Sequence, residues 1–529
     1  MHLRPRLRCW ASRAVLTGSF VSLAVSAAAR SPREDERDRE KLAPMRIMEF
    51  SADSFGATPG GAQDIGFFRD RVAAGEIPHP NVFTPEGLFS EHDLPMKGAE
   101  ADKSAACKQL LCVAGEATDV GLIVQPEVRY LAQLGFTSGL SPKTWHRPPV
   151  TLIAVVDKSG SMSGQPLELV KESLHQIASQ LGADDRLGIV LYGDRSHVHL
   201  APTSGADKRA LAAAIGRIES AGSTAMEEGL KVGYGLARSE ARNAKGTTRV
   251  MLFTDERPNV GATDATSFMG MAEAASRDGI GLTTIGVGVQ FGAELATKIA
   301  NVRGGNLFFF PDLAKMKATF QDELDMMVTE LAYDLEMTIQ PASGLAVAGV
   351  YGVPGQMLEW TKDGGIALKI STIFLSKKAG AIYVAFKGAG ADALPGPRVP
   401  VGSDVGWARL GYALRDGKRE TSEVVFTLGA RAAASVGLTR GALLVDEVTA
   451  LKSATALHHE KNDQEGAYQI VHALASLLGQ SRDPELANER ELTRKLEATL
   501  AKLSGHQGEP PPLRERSPVD PVSGLPHPE

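Results

Sequence analysis

Residues 155–164 read Val-Val-Asp-Lys-Ser-Gly-Ser-Met-Ser-Gly, and this short stretch carries the clearest chemistry of the chain. An apolar run from Val150 to Val156 stops at Asp157, and Ser159 and Ser161 follow at alternate positions. One carboxylate and two hydroxyls at i, i+2 and i+4 offer hard oxygens, the ligands that magnesium, manganese or calcium prefer. Two other chemistries fit less well. A serine nucleophile needs a G-x-S-x-G elbow, whereas Ser161 has Ser159 and Ser163 two places either side. A phosphate loop needs lysine after its last glycine, and Gly164 is followed by Gln165. Three oxygens from one loop do not complete a cation site. Two further candidates are Thr224, within Ser-Ala-Gly-Ser-Thr-Ala, and Asp255, which ends Arg-Val-Met-Leu-Phe-Thr-Asp. Asp157, Ser159, Ser161, Thr224 and Asp255 together make a five-residue oxygen site for a divalent cation. Magnesium, manganese and calcium each suit such a set. A Ser or Asp after a strand also commonly caps the next helix; the combination on three successive strand ends is what favours a metal.

These residues need a scaffold that presents loops side by side. From Val150 to about Leu331 the pattern alternates strand and helix, with strands TLIAVV, RLGIVLYG, RVMLFTD and GLTTIGVGV, and NLFFF as an edge strand. Near-continuous apolar strands are what a mostly parallel sheet covered on both faces requires. The helix after the opening stretch starts with Pro166 and stripes Leu167, Val170, Leu174, Ile177 and Leu181 on one face. Further helices are expected at 207–220, 226–243, 265–278 and 312–332. The fold class is therefore α/β, with a doubly wound sheet whose ligands sit beyond the carboxyl ends of its strands. Period two takes over near Tyr333, and Arg415-Asp-Gly-Lys418 marks a tight hairpin. Residues 333–430 are expected to form a small antiparallel β-sandwich, and 435–504 helices, the last striped by Leu492, Leu496, Leu500 and Leu503.

The chain has 529 residues, 43% of them hydrophobic and 23% charged, which describes a globular protein of three or four domains. No basic stripe with interleaved aromatics appears, which argues against nucleic acid as a partner. Arg4, Arg6, Arg8 and Arg13 precede the uncharged run Ala14–Ala29, the pattern of a secretory signal over residues 1–29. A charged linker fills 30–44, an irregular module 45–146, the α/β domain 147–332, and a Pro-rich tail 505–529. The module's one clear helical piece ends at Gly75, and residues 110–125 look like paired strands. Cys107 and Cys112 are close enough for a short local disulfide, and two free thiols fit equally well. His458 and His459 are adjacent, too poorly spaced to chelate from one helix face, and His472 reads as a packed core histidine.

The motifs DKSGSM, Thr224 in a Gly-Ser loop, and LFTDERPN resemble the metal-ion-dependent adhesion site of von Willebrand factor type A domains. The likeness is closer to exported bacterial members often labelled calcium-activated chloride channel homologues, in which the strand ending in TD is followed by a segment like RPNVGATD (257–264). It implies that Asp157 and Asp255 supply carboxylates, that Ser159, Ser161 and Thr224 supply hydroxyls, that magnesium is the first choice of cation, and that Thr224 moves between low- and high-affinity states. It also implies an exported, non-enzymatic binding protein of the periplasm or cell envelope, whose open cation position accepts an acidic side chain of a protein partner. Once the signal is removed, no later apolar run is long enough to span a membrane. The alternatives are a metal-dependent hydrolase, with Glu256 as its only obvious base, and an envelope assembly factor stabilised by the metal. One departure stands out: Glu256 follows Asp255 where the family usually has glycine. It adds negative charge beside the site, as do Glu227 and Glu228 from their solvent-facing helix, while Lys158 offsets part of it.

Overall fold

The computed structural model describes residues 55–59, 65–96, 109–140, 144–242, 246–256, 266–287, 298–299, 301–310, 320, 324–353, 357–376, 378–390 and 398–506. The signal segment, the charged linker, Cys107, residues 257–264 and the tail from 507 onward lie outside the described residues. The strands, in chain order, are β1 (Phe55–Pro59), β2 (Cys112–Asp119), β3 (Val128–Ser138), β4 (Val150–Asp157), β5 (Arg186–Tyr192), β6 (His197–Ser204), β7 (Thr247–Thr254), β8 (Ile280–Val287) and β9 (Gly305–Phe310). They continue with β10 (Glu330–Pro341), β11 (Leu345–Tyr351), β12 (Leu358–Trp360), β13 (Ile366–Ser376), β14 (Gly380–Gly388), β15 (Asp404–Ala413) and β16 (Arg419–Thr427). The helices are α1 (Gly66–Ala73), α2 (Pro85–Phe89), α3 (Gln165–Gln180), α4 (Lys208–Gly216), α5 (Met226–Ala241), α6 (Phe268–Arg277), α7 (Val436–Lys461), α8 (Gln464–Gln480) and α9 (Ala487–Ser504).

The central sheet runs β6-β5-β4-β7-β8-β9, parallel throughout except for the antiparallel β6 at one edge. All eight residues of β4 are buried, because its side chains alternate between two cores. Leu152, Ala154 and Val156 pack with α3 and α4 through Val170, Leu174, Leu211 and Ile215. Ile153 and Val155 pack with α5 and α6 through Leu230, Tyr234, Phe268 and Ala272. This two-sided burial is why the strand reads as an unbroken apolar run, and the doubly wound α/β architecture is present as the sequence predicts. Strand β6 has no counterpart among the strands expected from sequence. Its residues HVHLAPTS mix polar and apolar types without a buried run and are partly exposed, since an edge strand buries only part of itself.

The outer sheet has ten strands, ordered β11-β14-β3-β1-β13-β10-β15-β16, with β12 on β13 and β2 on β3. The antiparallel strands expected over 333–430 are there, and they share their sheet with β1, β2 and β3 from residues 55–138. The sheet curls until its last strand meets β2, where Ala117 bridges Leu428 and Gly429 N–H donates to Ala117 O over 2.8 Å. The expected strand pair within 110–125 is corrected: only β2 lies there, and its partner β3 follows a turn in which Ile123 N–H donates to Asp446 of α7. The hairpin at 415–418 forms as expected, closed by Leu414 N–H to Lys418 O at 2.8 Å, with Gly417 at φ 84°.

Helix α7 is buried along most of its length under Phe68 and Val72 of α1, Phe83, Leu88, Phe89, and the apolar faces of α8 and α9. Leu492, Leu496 and Leu500 join that core, while Leu503 is 55% exposed. His472 is not a core residue. Its ring is more than a third exposed and hydrogen-bonds Glu497 Oε1 at 2.5 Å, because it sits on the flank of α8 rather than on its apolar stripe. His458 and His459 lie at the surface end of α7, bonded to Gln464 and to Ile77 O.

Candidate metal centre

Parallel pairing of β4 with β7 places Val156 opposite Phe253, so Asp157 and Thr254 leave the sheet side by side and Asp255 follows one residue later. The turn after β4 then folds back. Ser159 N–H donates to Asp157 Oδ1 at 2.9 Å, the Ser159 and Ser161 hydroxyls lie 3.0 Å apart, and Ser161 Oγ–H donates to Asp255 Oδ1 at 3.2 Å. Four of the five residues named from sequence are thus linked by hydrogen bonds. Thr224 is placed differently from the expectation. It follows no strand but lies in the connection between α4 and α5. Its loop abuts the turn through Gly160 N–H to Gly222 O at 3.0 Å and Ala221 N–H to Lys158 O at 2.6 Å.

Asp157 is fully buried and faces three donors: the Ser159 amide, Tyr192 Oη–H at 3.2 Å and Thr254 Oγ1–H at 3.1 Å, the last two on Oδ2. Burial, and then the Asp157 charge, push the Tyr192 phenol well above its ordinary range, so it stays protonated and donating. The Thr254 hydroxyl accepts from Glu256 N–H at 3.0 Å, which leaves its own proton for Asp157. Burial raises the pKa of Asp255, with the negative charges of Asp157 and Glu256 adding to the effect and the Ser161 hydroxyl opposing it. The site therefore concentrates negative charge among neutral hydroxyls. Among the described residues no group of three or more His, Cys, Asp or Glu side chains gathers as a cage. A cation here would depend on two carboxylates completed by hydroxyls and water, a donor set that suits a hard divalent ion. Glu256, beside Asp255, is exposed, as are Glu227 and Glu228 in the first turn of α5.

This arrangement of β4, β7 and the three loops coincides with a family match. The model for the von Willebrand factor type A domain matches residues 151–323. Residues 151–323 are a von Willebrand factor type A domain. The Escherichia coli K12 protein YfbK is 30% identical over 200 residues, which cover 37% of this chain and 35% of YfbK. The Synechocystis protein sll0103 is 31% identical over 183 residues, 34% of this chain and 42% of its own. Inter-alpha-trypsin inhibitor heavy chain H4 of Sus scrofa is 27% identical over 184 residues, covering 32% of this chain and 19% of its own. The chain thus spans less than half the length of each of these relatives. Among solved structures, a von Willebrand factor type A protein from Catenulispora acidiphila has a TM-score of 0.45 at 15% identity, covering 75% of this chain and 98% of that one.

Sequence reasoning passed over two residues of the type A site, Tyr192 and Thr254. Each is the last residue of an apolar strand and carries a hydroxyl there; a polar group ending a buried strand was the available signal. Tyr192→Phe removes one donor from Asp157 and is expected to weaken magnesium binding about fivefold, the worth of about 1 kcal/mol for one hydrogen bond. Titration calorimetry checks this, and an unchanged affinity removes Tyr192 from the site.

Proposed function

We propose that this chain is an exported, non-enzymatic binding protein whose type A domain engages an acidic side chain of a protein partner through a divalent cation. Asp157, Ser159, Ser161, Thr224 and Asp255 hold that cation in this reading. The observation that carries it is the linked array of Asp157, Ser159, Ser161 and Asp255 at the carboxyl ends of two adjacent parallel strands. A bound divalent ion supplies an open coordination position for a carboxylate. The chain's own residues set the conditions: Tyr192 and Thr254 orient Asp157, Ser161 orients Asp255, and because the remaining ligands are neutral hydroxyls, two carboxylates leave a divalent ion near neutral rather than negative, so that an incoming acid is not repelled. Type A domains mediate protein interactions, which supports the general class. The N-terminal arginines and apolar run support export to the periplasm or cell envelope. Among the described residues no helix is long and apolar enough to cross a membrane.

Thermal unfolding of the full chain tests the metal, first after chelation and then with magnesium, manganese or calcium. A ligand that binds only the folded state adds about 2.7 kcal/mol at a hundredfold excess over Kd. The native chain is expected to shift by that amount, and Asp157→Ala and Ser159→Ala not at all. Absence of any shift at millimolar metal would sink the proposal. If the shift appears, partner capture should be lost on chelation while the fold persists.

A further inference from the structure

The loop that carries Thr224 is tied down more firmly than a connection outside helix and strand requires. Ala221 N–H donates to Lys158 O at 2.6 Å, and Lys158 Nζ donates back to Ala221 O at 3.1 Å. Gly160 N–H donates to Gly222 O at 3.0 Å, and Ser223 N–H to Asp194 Oδ1 at 2.8 Å. Each of the three residues before Thr224 is therefore held, from two different sides. Lys158 is itself anchored by its amide to Tyr192 O at 3.0 Å, so the clasp is continuous with the end of β5. Two glycines make the close approach feasible. At Gly193 a Cβ would lie 2.8 Å from Ala221 O, and at Gly222, with φ +89°, it would lie 2.7 Å from Asp194 Oδ2. The exposed Asp194 carboxyl is held below its ordinary range chiefly by the Ser223 amide, with a smaller contribution from Lys158.

Resting on the cation-site reading above, we infer that Lys158 and Asp194 are positioning residues that clasp residues 221–223 and so hold Thr224 against the metal-binding turn. Neither side chain is a proposed ligand. They act by removing, before any ion arrives, the freedom that a loop outside helix and strand would otherwise lose on binding. The amide that Asp194 captures belongs to the residue immediately before Thr224, so freeing it frees Thr224. Lys158 occupies the position between the first carboxylate and the first hydroxyl of the turn, and it joins the turn to the clasp directly.

The test titrates the full chain with magnesium alone by calorimetry and follows amide exchange over residues 219–226. The native chain, Asp194→Ala, Asp194→Asn and Lys158→Met are compared. Asp194→Ala is expected to weaken magnesium about fivefold to tenfold and to speed exchange at Ser223, the effect of one lost hydrogen bond. Asp194→Asn keeps an acceptor oxygen for the Ser223 amide and should stay within about twofold of the native chain. Lys158→Met should weaken binding and loosen the same segment. Equal weakening in Asp194→Ala and Asp194→Asn would mean that only the charge matters and would overturn the clasp. So would native affinity in Asp194→Ala despite faster exchange. A native chain that takes up no magnesium overturns the site reading and this inference with it; a native chain that binds while the variants bind equally well overturns the clasp alone.

Discussion

Arg249→Ala is expected to destabilise the folded chain by about 3–5 kcal/mol, read as a lowered urea midpoint, because it breaks a buried ion pair and leaves its partner behind. Arg249 lies in β7 with 1% of its surface exposed. Its guanidinium donates to Thr283 Oγ1 and Gly304 O, each at 2.9 Å, and to Glu330, the first residue of β10. It also lies 5.3 Å from the centroid of the Phe374 ring in β13. One side chain thus fastens the type A sheet to the outer sheet. Gly304 N–H to Thr372 Oγ1 at 2.7 Å and Ser371 Oγ–H to Asn301 O at 2.6 Å support the same junction. After truncation the Tyr333 hydroxyl still donates to Glu330 Oε2 at 2.7 Å, but the charge partner is gone. Replacing both charges, as Arg249→Met with Glu330→Gln, should cost less than Arg249→Met alone, since no lone charge then remains buried. A loss below about 1 kcal/mol for Arg249→Ala would show that the pair contributes little to the junction.

Stability is expected to fall as pH rises from about 4 to 7, and the cause lies around α7. Burial pushes Glu86 from its ordinary 4.5 to about 7, opposed in part by Lys452, and pushes Asp446 from 3.8 to about 7, opposed by the Ile123 amide and Arg431. A folded-state pKa above the unfolded one means that the native state binds the extra proton. The stabilisation is fully present below the unfolded value and is lost as pH climbs through the folded one. At 1.36 kcal/mol per pKa unit, Glu86 contributes about 3 kcal/mol and Asp446 about 4 kcal/mol to this fall. Lys452 has the opposite sign. Burial depresses it from 10.5 to about 8, despite the neighbouring Glu86, so stability recovers as pH rises from about 8 towards 10. Its ammonium donates to Pro80 O at 3.0 Å and Phe83 O at 3.3 Å, the segment α7 covers. Urea midpoints at intervals from pH 4.5 to 9.5 should trace a minimum near pH 7–8. Glu86→Gln should flatten the acid side and raise the midpoint at pH 7.5. A midpoint that rises steadily from pH 5 to 7 would contradict the burial of these carboxyls.

Much of the type A domain was legible without coordinates, for local reasons. An unbroken apolar strand ending in Asp157 is written in eight consecutive residues, and alternate hydroxyls in the next four; both depend on chain geometry that extends no further than a turn. The β15–β16 hairpin, the buried stripe of α9 and the exposed Glu227 and Glu228 are of the same kind. What the amino-acid order alone could not settle is which distant segments meet. The adjacency of β4 and β7 turns Asp157 and Asp255 into one site, and that adjacency is decided by packing across almost a hundred residues. The same holds for β1, β2 and β3, which join strands beyond residue 330 because only a shared sheet satisfies their backbone groups. Tyr192, Thr254 and Asp194 gain their roles only when three loops converge, and His472 falls at the surface because α8 turns another face to α7. Local periodicity and residue chemistry are properties of the chain, whereas partners, burial and the charge felt by each carboxylate arise only on folding.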